Sequence, residues 1–160
     1  MGRHVKAEIK QLDSTFGGRN QKGIGQMNSI YFQSGYKYQL YYNCLGSLGR
    51  KVPKPVLFDW FSISENGNYV IKKGYAWDGP SGPTIDTKNF MRGSLVHDVL
   101  YQAIRLDLLP TEYRKEADET LKEICLQDGM SRVRAAWVFW GVRIGGGPAI
   151  RNERKVHRAP

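Results

Sequence analysis

The sequence predicts an α+β protein: a small antiparallel β-sheet in the N-terminal half, then a three-helix C-terminal half with an antiparallel helix pair. Three observations predict it. Tyr36, Tyr38, Leu40 and Tyr42 alternate with Lys37, Gln39 and Tyr41, the period of two expected of a strand. Two runs rich in aromatic and β-branched residues, 56–63 and 69–77, flank Asn66-Gly67, a pair suited to a hairpin turn. Beyond residue 88 the apolar spacing changes to three and four, as in Val96, Val99, Leu100 and Ala103, which is the helical period.

Taken in order, residues 1–30 are polar and carry Gly17-Gly18, Gly23 and Gly25, and read as an irregular basic arm. The globular domain spans 31–147. Its sheet strands are separated by a Gly-, Lys- and Pro-rich loop at 46–55, and a second loop at 74–83 carries Gly79-Pro80 and Gly82-Pro83. The first predicted helix covers 88–106, with Asp86 or Thr87 as its cap. The second opens at Pro110-Thr111, where proline suits the first turn and Glu112 suits the positive end of the helix dipole. It stops at Asp128-Gly129, glycine being the usual residue just past a helix end. Ser131 caps the third helix, which ends at Gly145-Gly146-Gly147. Val133, Trp137, Trp140 and Ile144 form a bulky apolar stripe along it, expected to pack in the core. Residues 148–160 form a basic tail.

A chain of 160 residues is one domain's worth. Its 24 lysines and arginines against 15 acidic residues leave a net charge of +9. That balance suits nucleic acid, anionic lipid or an acidic protein face, and equally a plain solvated surface. The two cysteines, Cys44 and Cys125, are too few for a disulfide framework and read as free thiols of a reducing compartment. Arg3, His4, Lys6, Glu8 and Lys10 interrupt any signal-like run, and no apolar stretch has the length of a transmembrane segment. Zinc is disfavoured, because the chain has neither H-x-x-x-H nor paired-cysteine spacing.

The candidate chemistry lies on the first two predicted helices. His97 sits about 100° round from Val96, at the edge of the first apolar stripe, with Tyr101 one turn further on. Asp118 sits one step round from Ala117, at the edge of the same sense on the second helix. A short connection pairs the helices antiparallel, and His97 and Asp118 lie about equally far from the turn, within roughly 3 Å along the axis. The spacing therefore predicts an Asp118–His97 hydrogen bond, with Tyr101 close enough to give Asp118 a second. Such a carboxylate fixes the imidazole tautomer. The trio fits either a catalytic site or a buried polar network that pins two helices. Asp98 points away from the apolar stripe, as a solvated group or a metal ligand. With backbone carbonyls of the glycine-rich loop before it, Asp98 suits a hard cation such as calcium. In that loop Trp77, Asp78, Ser81 and Asp86 are the candidate binding residues, while Asp78 and Asp86 also suit turns and caps. A serine triad through Ser81 or Ser94 lacks the G-x-S-x-G elbow.

The runs GYAWDGPSGPTIDTKNFMRGSLVHDVLYQ and LLPTEYRKEADETLKEICLQDGMSRVRAAWVFWGVRIGGG resemble an uncharacterised family of tailed-phage and prophage proteins, over most of residues 36–147. That resemblance implies a phage origin and no established activity; the expected places are the host cytoplasm at synthesis and the phage particle, with other phage proteins as partners. Locally, His97-Asp98-x-x-Tyr101 followed by Asp118 is similar to the H-D-x-x-Y and later aspartate of phospholipase A2-like enzymes. This second resemblance implies His97 as base, Asp98 as calcium ligand, Asp118 as the residue orienting His97, and Tyr101 as its support. The loop departs from that pattern, with no clear Y-x-G-x-G signature. Three functions are thus expected in competition. The first is a phage accessory or virion-associated protein acting by protein binding. The second is a hydrolase of ester or related bonds. The third is sequence-independent nucleic-acid binding through the basic ends, with Arg151, Arg154, Lys155 and Arg158 carrying the C-terminal charge.

Overall fold

Turn residues cut the β-rich half into shorter strands than the alternation pattern suggests. The computed structural model describes residues 3–16, 32–33, 38–79 and 87–147. Ser81, Asp86 and the tail residues Arg151, Arg154, Lys155 and Arg158 lie outside them. The order is α1 (Arg3–Phe16), β1 (Phe32–Gln33), β2 (Tyr38–Leu40), β3 (Cys44–Ser47), β4 (Val56–Phe58), β5 (Phe61–Ile63), β6 (Asn68–Ile71), β7 (Ala76–Trp77), α2 (Lys88–Arg105), α3 (Arg114–Gln127) and α4 (Arg132–Gly145), with one 3-10 turn (Thr111–Tyr113) before α3. The protein is α+β, with its antiparallel strands in the N-terminal half and paired helices in the C-terminal half.

Among the described residues two sheets stand where one was expected. One has the order β1-β2-β7 and the other β3-β6-β5-β4, with every pairing antiparallel. The expected run 56–63 turns at Asp59-Trp60, so β4 and β5 pair with each other. The run 69–77 breaks at 72–75, where Gly74 takes φ +92°, and β7 crosses to the other sheet. The hairpin at Asn66-Gly67 joins β5 to β6, with Gly67 at φ +81°.

The arm 1–30 is not wholly irregular: α1 is a helix of 14 residues. Its signal was present, since Val5, Ile9, Leu12 and Phe16 recur at helical spacing, but the charges between them and the glycines after them masked it. Leu12 is buried, and Asp13 accepts hydrogen bonds from Ser64 Oγ at 2.6 Å, Asn66 Nδ2 at 3.0 Å and Asn68 Nδ2 at 3.0 Å. One carboxylate thus latches α1 to the β5–β6 hairpin. Asp13→Ala is expected to lower stability by about 1–3 kcal/mol, since hydrogen bonds to a charged group are the stronger kind. The loss should appear as faster amide exchange confined to α1; uniform exchange across the chain would contradict a local latch.

The main core lies between sheet and helix. Phe61, Ile63, Tyr69 and Ile71 pack in the same cluster as Leu95, Val96, Val99, Leu100 and Ala103 of α2. A smaller cluster gathers Phe90, Leu121, Cys125, Met130, Ala135 and Val138 where α2, α3 and α4 meet. The α4 stripe is inverted relative to expectation. Val133, Trp137, Trp140 and Ile144 are 83, 51, 61 and 82% exposed. The buried face is instead made of the small residues Ala135 and Val138, which let α4 approach α3 closely.

Candidate functional site

The site rests on the α2–α3 hairpin. Leu106 closes α2, Leu108 and Leu109 both donate backbone N–H to Ala103 O, and Asp107 takes φ +56° to reverse the chain. Thr87 occupies the N-cap position of α2, but its hydroxyl donates to Asn89 Oδ1 and makes no cap bond. Gly93 sets how closely the helices pack. A Cβ there would lie 2.8 Å from Cys125 Sγ and 3.1 Å from Leu121 Cδ1. One turn beyond Gly93 comes His97.

His97 Nε2 lies 2.8 Å from Asp118 Oδ1, and Tyr101 donates to the same oxygen at 2.7 Å. The two rings are neighbours, with centroids 4.1 Å apart. All three residues therefore stand where the helical spacing predicts. Two arginines that the sequence reading did not include complete the cluster. Arg143 of α4 donates to Asp118 Oδ2 at 3.0 Å. Arg114 donates from Nε to Tyr101 Oη at 3.1 Å, and its Nη2 reaches Val142 O and Arg143 O at 3.0 and 2.6 Å. Arg114 was legible, standing four residues before Asp118 on one helix. Arg143 was not, because the outward face of α4 was assigned to the core.

Burial opposes ionisation of Asp118, but hydrogen bonds from His97, Tyr101 and Arg143 outweigh it and hold its pKa below the ordinary carboxylate value. Burial pushes the Tyr101 phenol up to about 12, against the pull of Arg114 and with the help of Asp118. Tyr101 therefore stays a donor. Asp118 is fully buried, whereas the His97 side chain keeps 9% of its surface exposed. Among the described residues the ring binds Asp118 through Nε2, and Nδ1 has no hydrogen-bond partner. An ionised Asp118 accepts a proton-bearing Nε2, which puts the lone pair of the neutral ring on Nδ1.

Asp98 is half-buried, and burial together with the Asp78 carboxylate lifts its pKa to about 6, against the pull of His97 and Arg105 and a hydrogen bond from the Asp78 backbone. The described residues contain no group of three or more His, Cys, Asp or Glu that could hold a metal ion. The backbone carbonyls expected to complete a calcium site with Asp98 belong to the glycine-rich loop, of which residues 80–86 lie outside the described residues. Trp77 is not a surface binding residue. It is buried in β7, donates from Nε1 to Ser94 Oγ at 3.2 Å, and packs against Tyr38 with ring centroids 5.5 Å apart. Ser94 in turn donates to Met91 O, so its hydroxyl is committed to the core and forms no triad. Asp78 is exposed at the start of the loop. No helix among the described residues is long and apolar enough to cross a membrane. The chain matches no protein-family model, no curated protein and no solved structure.

Proposed function

We propose that the protein is a hydrolase of ester or related bonds, with His97 as general base. The observation that supports this reading is the single-sided engagement of His97: Nε2 on a buried, ionised Asp118 and Nδ1 without a protein partner among the described residues. In the reaction Nδ1 takes a proton from water as the water oxygen bonds to the ester carbonyl carbon. The resulting imidazolium is stabilised by Asp118. When the intermediate collapses, the bond from carbon to the leaving oxygen breaks and the imidazolium returns the proton to that oxygen. Tyr101, Arg143 and Arg114 hold Asp118 in place and charged; they touch no substrate atom in this scheme and are positioning residues. The phage resemblance adds a setting, with the enzyme acting for a phage inside or against its host.

The test is hydrolysis of a fluorogenic carboxylic ester and of a phospholipid, with purified protein and with calcium both supplied and chelated. Wild type should turn over at least one of them. His97→Ala should lose about 10²–10⁴-fold, the usual contribution of a positioned base, with an unchanged circular dichroism spectrum. Tyr101→Phe should keep most of the rate, because Arg143 still holds Asp118. A wild-type protein inactive on both substrates, or a His97→Ala variant as active as wild type, would overturn the reading.

A further inference from the structure

The outward stripe of α4 is the largest unpartnered apolar feature among the described residues. Val133, Trp137, Trp140 and Ile144 all lie within about 40° of one line along the helix, over roughly 16 Å of its length. Each is more than half exposed. A core helix turns such residues inward; α4 buries alanine and valine and shows its tryptophans to water. The charges around the stripe say what covers it. By helical angle Arg132 and Arg143 fall on one flank and Arg134 on the other. Arg132 is exposed, Arg134 half-exposed, and Arg143 is partly exposed while it holds Asp118. The four cations Arg151, Arg154, Lys155 and Arg158 follow within fourteen residues of Ile144.

A second copy of the chain fits poorly. Packing α4 on α4 would bring flanking arginines together in a protein that already carries +9. A ridge of tryptophan and aliphatic side chains with cations on both flanks has the form of a helix lying in the plane of a membrane interface. There tryptophan sits at headgroup depth and arginines reach phosphates. We infer that α4 docks this protein on an anionic phospholipid surface, with Trp137 and Trp140 inserted and Arg132 on the headgroups. The inference does not depend on the hydrolase reading. It does bear on it, because Arg143 joins the flank of the stripe to Asp118 at 3.0 Å.

The experiment is co-sedimentation of the full chain with vesicles of ether-linked lipids, which resist ester hydrolysis, so that docking is measured apart from activity. One set is phosphatidylcholine alone and the other contains phosphatidylglycerol. Partition to the anionic set should exceed the neutral set by about tenfold or more at low salt, since each basic residue near such a surface contributes about 1 kcal/mol. Tryptophan emission should shift to the blue on binding. The double variant Trp137→Ser/Trp140→Ser alters only exposed positions and should fold as wild type while losing tenfold or more of the partition. Arg132→Glu should weaken binding further at low salt than at high salt. No partition to anionic vesicles, partition that survives the double variant, or equal binding to neutral vesicles would overturn the inference. So would a lipid-free dimer that shields Trp137 and Trp140, or an acidic protein of the particle that binds the stripe while vesicles do not.

Discussion

Asp118→Asn is expected to abolish the ester hydrolysis proposed above and to cost the fold about 3–5 kcal/mol, because it removes the charge from a fully buried carboxylate and leaves its cationic partners behind. His97, Tyr101 and Arg143 all bond to Asp118, and Arg114 stands 4.0 Å away, so no nearby group replaces it. The amide can also hold the imidazole in the wrong tautomer, an effect worth about 10⁴-fold in kcat in hydrolases that orient a histidine this way. The stability effect has a definite pH signature. The folded pKa of Asp118 lies below its ordinary value of 3.8. Its contribution is therefore present above that value and lost as pH falls through the lower folded one. Urea unfolding at pH 7 should show the full gap between wild type and variant, and the gap should shrink progressively below pH 4. A gap of the same size at every pH, or one below about 1 kcal/mol at pH 7, would show that the charge on Asp118 does not hold the helices. Assays run well below the variant's unfolding midpoint separate lost chemistry from lost structure.

Gly67→Val is expected to lower stability by about 2–4 kcal/mol. Gly67 turns the β5–β6 hairpin at φ +81°, a region in which a side chain costs roughly 1–2 kcal/mol and a β-branched one is an outlier. A Cβ there would also lie 2.0 Å from Arg50 O, a backbone atom that cannot move aside alone. Overpacking of that kind adds about 1–3 kcal/mol. The damage should spread beyond the turn. The chain around Arg50 pairs with it, since Val52 N donates to Glu65 O and Leu48 N to Gly67 O. Arg50 itself reaches Glu119 and Glu123 of α3. Thermal unfolding should show a lower midpoint, and Gly49→Ala makes a useful contrast: Gly49 also has positive φ, but its Cβ would meet nothing within 4 Å. A Gly67→Val protein as stable as the Gly49→Ala one would mean that the hairpin and loop relax freely.

What could be read without the structure follows from local chemistry. The Asn66-Gly67 turn, the span of α2, the stop of α3 at Gly129 and the Ser131 cap of α4 each depend on a few neighbouring residues. The His97–Asp118 bond is longer in range, yet it too was legible. It needs only helix geometry, a short turn and two apolar stripes, and these constrain the helix pair almost completely. The failures have a different cause. The apolar spacing of α1 was masked by the charges within it and the glycines after it, and fourteen residues do not hold a helix alone; Asp13 reaches the hairpin 51 to 55 residues away. Trp77 fell both at the end of the strand-like run 69–77 and in the loop 74–83, because β7 is two residues long and pairs only with β2.

The orientation of α4 shows most clearly where sequence stops and tertiary structure begins. Its residues determine that it is a helix with a small face and a bulky face. Hydrophobicity alone assigns the bulky face to the core. Close packing on α3 chose Ala135 and Val138 instead, in a space already filled by Leu121, Cys125 and Met130. That choice turned Trp137 and Trp140 outward and brought Arg143 in to Asp118. Pattern alone determined which residues can form each element and, for one helix pair, which edges meet. Only the assembled chain decided which face of α4 is covered, because that depends on the volume left between elements and not on any spacing along the sequence.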